Sequence, residues 1–374
     1  MSRKAKIVVA IAAVIAVAAI AFFGVKNQMR KNTDDENVIK IGAILPLTGS
    51  LGYEGTRMKD AMELAISQLD NDKRGVLKIY YEDGKFLVRD SISAFNKLNE
   101  KGMDAWIVFG DTPLLGMKPL LKKTGKPVLC LIGAQELIKD SPNFFHFSGS
   151  ITLPAVKNAQ FVKTKGVKTV SIIYLNEQIG LEVKRAFEQE FMDKSHKVVT
   201  SEGFDMGQRS MKDLVVRSIA PKPDAVFVYG YSTPYIDILN ELKNVGYRGL
   251  VITDGNLGAV KSSLIGGGDG VWYADFDFGD GCDNPESQKF VNDMKNIYGV
   301  SASSFSAFAY ETVRVLAAIV HHSGKTSSAI HSGLLSIKNY HSIFGVISYR
   351  DNRELDIPIV IKKATPNGAK IWRD

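Results

Sequence analysis

Polar residues recur where one apolar run after another ends. Thr48, Ser50 and Tyr53 follow the first run, Glu82 and Asp83 the second, and Asp111 and Thr112 the third. Ala134 and Gln135, then Asn176, then Tyr231 and Ser232, and finally Asp254 end later ones. Hydroxyls, amides and carboxylates at successive strand ends, each followed by a helix start, are the materials of a polar ligand cleft. Thr112-Pro113 reads as a helix N-cap with proline at the first helical position, leaving backbone N–H groups to receive a carboxylate. Taken alone, Thr112 serves equally well as a cap and nothing more. Asp254 has the charge to meet a ligand ammonium, although Asp-Gly out of context is first of all a turn. Tyr53 and Tyr231 either offer rings to a ligand or are surface tyrosines.

No residue set points to catalysis. His321 and His322 are adjacent on a helix and therefore face different ways, and His331 has no Cys or acid at ligand spacing. Ser148-Gly149-Ser150 lacks the strand–turn–helix frame of a nucleophilic serine. Gly266–Gly268 lies between a helix and a strand, the wrong side for a phosphate loop. The opening strand, glycine loop and helix mimic a dinucleotide fold, but Gly49, Gly52 and Gly55 do not match G-x-G-x-x-G. That loop also takes about ten residues where the fingerprint demands a tight turn. The reading is a binding protein rather than an enzyme, with no cofactor and no metal.

These residues need a frame, and the opening stretch supplies its unit. Ile39–Leu45 is an apolar run of strand length, and Met58, Ala61, Met62, Ala65, Ile66 and Leu69 recur at helical spacing after the loop. The alternation repeats: strands near Val76–Tyr81, Asp104–Phe109, Pro127–Ile132 and Phe144–Phe147, then a second series near Thr169–Leu175, Lys197–Phe204, Ala225–Tyr229, Leu250–Thr253 and Val271–Phe276. Strands alternating with helices predict an α/β fold whose parallel sheets are covered on both faces. Two series predict two lobes. The last hundred or so residues break the pattern with consecutive helices at Pro285–Tyr298, Ser303–His322 and Ser328–Lys338, then a strand at Ile357–Lys363 and a turn at Asn367-Gly368. A chain that leaves a lobe and returns implies three hinge crossings, placed near Phe147–Ile151, Asp275–Gly279 and Ser342–Val346. Lobe 1 is then residues 38–149 with 277–343, and lobe 2 residues 150–276 with 344–374.

Charge narrows the partners. The chain of 374 residues has a formal charge of +7, yet six bases and no acid precede residue 32, which leaves 41 bases against 40 acids in the rest. A nucleic-acid binder keeps its basic excess in the folded body, and this chain does not. Arg3, Lys4 and Lys6 precede an uncharged apolar run from Ile7 to Val25, an export signal in form. Its length also reaches that of a membrane helix, so residues 7–25 are either cleaved or retained as an anchor, with residues 1–37 forming signal or anchor plus linker. No Cys follows the run to take a lipid, and Cys130 and Cys282 are not expected to pair.

Ile39–Asp70, with its Leu45-Pro46-Leu47-Thr48-Gly49-Ser50 loop, the strand at Asp104–Gly110, Tyr229-Gly230-Tyr231 and the tail Leu355–Lys363 with Asn367-Gly368, resembles the type I periplasmic binding proteins of the leucine/isoleucine/valine-binding group. The resemblance runs from Val38 to Trp372. It implies a Venus-flytrap fold, two lobes closing on an amino acid or similar small solute, and delivery of that solute by a periplasmic monomer to an ABC permease. It also implies that a hydroxyl at Thr112 and backbone near Ala134–Gln135 hold a carboxylate, that Asp254 holds an ammonium, and that Tyr53 and Tyr231 line the cleft. Gln135 stands where a threonine is usual, Ile179 where an aromatic often clamps the ligand, and Asn176 where an acid is common. Transport receptor and membrane-held ligand sensor both remain open as roles.

Overall fold

The computed structural model describes residues 38–69, 76–132, 138–279, 281–366 and 368–373. The N-terminal signal or anchor with its linker, Ala134, Gln135 and Asn367 lie outside the described residues.

Strands β1 (Ile39–Leu45), β2 (Leu77–Asp83), β3 (Ala105–Phe109), β4 (Val128–Leu131) and β5 (Phe144–Gly149) pair in parallel. Helices α1 (Gly52–Gln68), α2 (Val88–Asn99) and α3 (Asp111–Thr124) connect the first four. Every residue of β3 and β4 is buried, as strands covered on both faces must be. The period of two sends Ile41, Ala43 and Leu45 into one core and Ile44, with Trp106 and Val108, into the other.

The second series gives α4 (Leu153–Thr164), β6 (Thr169–Leu175), α5 (Gln178–Phe191), β7 (Lys197–Phe204), α6 (Lys212–Ile219), β8 (Ala225–Tyr229), α7 (Ser232–Asn244), β9 (Leu250–Asp254), α8 (Asn256–Val260) and β10 (Trp272–Phe276). The chain then returns through α9 (Pro285–Tyr298), α10 (Ser304–Ser323) and α11 (Ser327–Leu335). Helix α10 begins at a capping box between Ser303 and Ser306, is buried along most of its length and packs on α1. Five short strands finish the chain: β11 (Tyr340–Ser342), β12 (Gly345–Tyr349), β13 (Glu354–Asp356), β14 (Ile359–Thr365) and β15 (Gly368–Trp372). The first sheet has the order β11-β12-β13-β5-β4-β3-β1-β2 and the second β15-β14-β10-β9-β8-β6-β7.

One expected crossing moves. Ser342 pairs with Gly345 across a hairpin, β12 pairs with β13, and β13 pairs with β5, so residues 345–356 belong to the first sheet and not to lobe 2. The chain leaves that sheet between Asp356 and Ile359, not near Ser342–Val346. The three-residue polar strand Tyr340-His341-Ser342 shows no apolar alternation, so nothing local separates it from a hinge loop.

The three passages between the sheets run side by side. Leu355 pairs with Gly149, Phe276 pairs with Ile359, and the Asp277 N–H donates to the Pro358 carbonyl at 3.0 Å. A Cβ on Gly149 would lie 2.3 Å from Cε1 of Phe276, so the ring occupies the space that any side chain there would need. Gly149→Ala is expected to cost about 1–3 kcal/mol by overpacking. In a Phe276→Leu background the same change should cost less than half as much, measured as a double-mutant cycle by chemical denaturation. Additive losses would show that the glycine is kept for another reason.

Candidate functional site

A cavity of about 400 Å³ opens between the two sheets, lined by strand ends and helix starts of both lobes and by the hinge. Tyr53 and Glu54 enter from α1, Phe109 and Thr112 from the end of β3 and the start of α3, and Phe305 from α10. From the other side come Glu177 and Ile179 after β6, Tyr229 and Tyr231 at the end of β8, and Asp254 and Asn256 after β9. Ser148 and Phe276 line it from the hinge. Five expected site residues are thus brought together: Tyr53, Thr112, Ile179, Tyr231 and Asp254.

Asp254 is the group with unspent chemistry. Below it, Thr253 is fixed by hydrogen bonds from Asn158 Nδ2 to its carbonyl (2.6 Å) and from its own hydroxyl to the Val228 carbonyl (2.7 Å). Asn256 Nδ2 bridges the Gly230 carbonyl (3.0 Å) and Asp254 Oδ2 (2.8 Å), tying β8 to β9 at the cavity floor. Asp254 Oδ1 is buried and accepts from no donor among the described residues. Burial, and then the repulsion of nearby Asp275, push the Asp254 carboxyl up to about 8. Asp275 has taken the available cation: Lys362 Nζ lies 2.9 Å from its Oδ2 and also donates to the carbonyls of Phe276 (3.1 Å) and Phe278 (2.7 Å). A buried acid in a cavity wall, with one oxygen left without a donor, calls for a cationic donor from outside.

Other expectations shift. Thr112 lines the cavity but is not the cap of α3. Gly110 holds that position at φ 88°, a conformation open to glycine, and Asp111 is the first helical residue. Pro113 stands third, which its missing N–H permits because no first-turn N–H has an intrahelical acceptor. A carboxylate therefore stands at the helix start where a ligand carboxylate was expected. Asn176 does not line the cavity: its Nδ2 donates to Asp205 at 3.2 Å and its side chain is exposed. The neighbouring Glu177 lines it instead and accepts from the Tyr231 hydroxyl at 2.6 Å. Tyr53 is 59% exposed and stacks on the buried Arg57 guanidinium, 4.1 Å from ring centre to Cζ.

Glu82 and Asp83 do local work. Asp83 accepts from the Leu47, Thr48 and Lys85 backbone N–H groups (2.9, 3.2 and 2.9 Å) and from the Thr48 hydroxyl, which shapes the loop before α1. Against the cost of burial, those bonds hold its carboxyl below the ordinary value. Glu82 pairs with Lys97 at 2.7 Å. Three lining residues were not singled out in the sequence as site candidates: Glu177, Ser148 and Tyr229. Ser148, 1% exposed, lines the cavity with an Oγ that has no partner, hidden in the aromatic run before the hinge. Tyr229, 5% exposed, was passed over as a strand residue beside the more prominent Tyr231. Burial first, then the charges of Asp254, Asp111 and Glu177, raise its phenol well above the ordinary value. Among the described residues no cluster of three or more His, Cys, Asp or Glu is placed to hold a metal ion. Cys130 and Cys282 are buried and unpaired.

Comparison with known proteins fits this geometry. The family described as periplasmic binding protein matches residues 38–366. The chain is 22% identical over 331 residues to Leu/Ile/Val-binding protein homolog 3 of Brucella melitensis, covering 86% of this chain and 89% of that one. Its fold is similar to the LivJ branched-chain amino acid transporter substrate binding protein of Streptococcus pneumoniae in complex with isoleucine (TM-score 0.79, 17% identity, 90% and 100% of the chains). It is equally similar to a solute binding protein of an ABC transporter from R. palustris in complex with benzoate (TM-score 0.81, 15% identity, 90% and 95%). With a family model spanning nearly all the described residues and a cleft between two sheets to match, the chain belongs to the periplasmic binding proteins.

Proposed function

We propose that this protein is the periplasmic solute-binding component of an ABC importer and closes its lobes on a small solute bearing an ammonium group, of which an amino acid is the simplest case. The observation that carries this reading is Asp254, a lining residue of the cavity between the lobes whose Oδ1 is buried and has no hydrogen-bond partner among the described residues. A ligand ammonium supplies the charge-assisted hydrogen bonds that Asp254 lacks. A bare aromatic carboxylate, such as the benzoate of the R. palustris neighbour, would instead face an acid without a base. The cleft geometry supports two-lobe closure, with the hinge at the three adjacent passages. The second reading, a ligand sensor held at the membrane, rests on the length of the apolar run Ile7–Val25. Loss of solute uptake when the gene is deleted, restored by the full-length chain, supports transport; intact uptake supports sensing.

The raised carboxyl has consequences of definite sign. In the folded ligand-free protein Asp254 keeps its proton up to about pH 8, whereas unfolded it loses it near the ordinary value of about 4. The folded state therefore binds the extra proton between those limits, and stability falls as pH rises through that window. Asp254→Asn is expected to abolish binding of an ammonium solute and yet to gain thermal stability over the parent as pH rises from 5 to 8, by a few kcal/mol at most. A variant that loses stability equally at both pH values would place the carboxylate in the structural frame. Ligand binding must expel the same proton, so affinity should rise up to about tenfold per pH unit below 8 and then level off. Calorimetry in buffers of differing ionisation enthalpy should count close to one proton released at pH 7. No proton release would mean that no cation meets Asp254. Asn176→Ala, turned away to Asp205, is expected to leave affinity within twofold.

A further inference from the structure

Every charged side chain that lines the cavity is an acid: Glu54, Asp111, Glu177, Asp254 and Asp275. No Lys, Arg or His is among the described lining residues, and residues 133–137, outside the described set, include no base in their sequence. At least two of these acids are neutralised inside the protein. Glu54 pairs with Arg57 at 3.1 Å, and Asp275 with Lys362 at 2.9 Å. Among the described residues Glu177 receives the neutral Tyr231 hydroxyl and Asp254 the neutral amide of Asn256, and neither pairs with a base. Asp111 lines the cavity from the opposite lobe and raises the Tyr231 phenol behind the larger effects of burial and Glu177.

The acids do not stand alone as an indication. Ser148 Oγ is buried in the lining and without a partner, as is Asp254 Oδ1. Aromatic rings fill much of the remaining wall, among them Phe86, Phe109, Phe276 and Phe305 from the first lobe and hinge, and Tyr229 and Tyr231 from the second. Ring faces beside carboxylates are the surroundings that organic cations prefer. A zwitterionic amino acid brings one ammonium and one carboxylate; once Asp254 gives up its proton to the ammonium, the cavity is more negative than before, and the ligand carboxylate shares it with Glu177. A monoanion makes the balance worse.

Strand order separates the two unneutralised acids of the second lobe. Asp254 ends β9 and Glu177 follows β6, with β8 and its tyrosines between them. Two strand spacings set them about 10 Å apart across the sheet, far enough for two distinct cationic groups on one ligand. On the receptor reading above, we propose that the solute carries net positive charge: an organic diammonium solute with one ammonium at Asp254 and a second at Glu177–Tyr231, its apolar spacer lying along Tyr229 and the phenylalanines. A simple diamine, net +2, and a basic amino acid, net +1, share this pair of ammoniums and differ by a carboxylate.

Calorimetric titration of the full-length protein with 1,4-diaminobutane, L-lysine, L-leucine and benzoate tests this. Either diammonium solute is expected to bind at least tenfold tighter than leucine, with no heat from benzoate. The diamine ahead of lysine would mean that the carboxylate is not wanted, lysine ahead of the diamine that Thr112 receives it. Glu177→Gln, which keeps an acceptor for Tyr231 and removes only the charge, is expected to weaken the diammonium solute at least tenfold. Glu177 makes no side-chain cap bond to α5, so the variant should fold as the parent does. Leucine or benzoate binding tightest, or Glu177→Gln leaving diammonium affinity unchanged, overturns the inference. In the case of tight leucine binding that Asp254→Asn abolishes, the solute-receptor reading stands while the diammonium solute falls. Silence of both diammonium solutes overturns it as well, and the deletion-uptake experiment then decides separately whether the receptor reading survives.

Discussion

A carboxylate without a counter-charge, held where two sheets face each other, is the constraint from which the rest of the site follows. Asp254 and Asp275 sit on neighbouring strands at the cavity floor, and one buried lysine serves only the second of them. Removing a charge from water without a partner costs several kcal/mol, and the folded protein avoids part of that cost by keeping Asp254 protonated. The cost is tolerated because the surroundings over-determine the position. Asn158, Tyr235 and the Val228 carbonyl fix Thr253, and Asn256 fixes Asp254 itself. A binding site held in this way gives up stability for a preorganised acceptor.

The two-sheet architecture explains why that acceptor is useful. Parallel sheets end in loops on one side, and the side-by-side hinge passages set the loop ends of both sheets across a single gap. Lys362, which neutralises Asp275, lies on β14, just after the last of those passages. It also binds the carbonyls of Phe276 and Phe278 on the second passage. One buried ammonium therefore braces the hinge and decides which of the two acids is left for the solute.

Much of this was legible in the residues. The all-buried strands β3, β4 and β8 announce themselves as unbroken apolar runs, and the helices between them as stripes at three and four. Asp254 was legible only in context: Asp-Gly alone reads as a turn, and its place among polar strand ends together with the family resemblance marks it as an acceptor. What escaped were offsets of one or two residues and interactions distant in sequence. Proline is compatible with any first-turn position, so Thr112-Pro113 does not fix where α3 begins, and the cap lies two residues earlier at Gly110. Asn176 and Glu177 are adjacent and both polar, and only the turn after β6 decides that the second faces the gap while the first finds Asp205. The β11–β12 hairpin is too short and too polar to have a period, and it is fixed by pairing with β13 and β5. Arg57 and Lys362, the two bases that neutralise cavity acids, carry no mark in the sequence that separates them from surface bases.

The protonation of Asp254 tests the account most directly. Carboxyl ¹³C resonances of aspartate-labelled protein, assigned by comparison with Asp254→Asn, report the titration of this group with and without solute. An Asp254 midpoint near 8 in the ligand-free protein that falls below neutrality on saturation is the result that an unpaired acceptor requires. A midpoint near 4 in both states would mean that the carboxylate already has its counter-charge, and the cleft would then have no electrostatic reason to close on a cation.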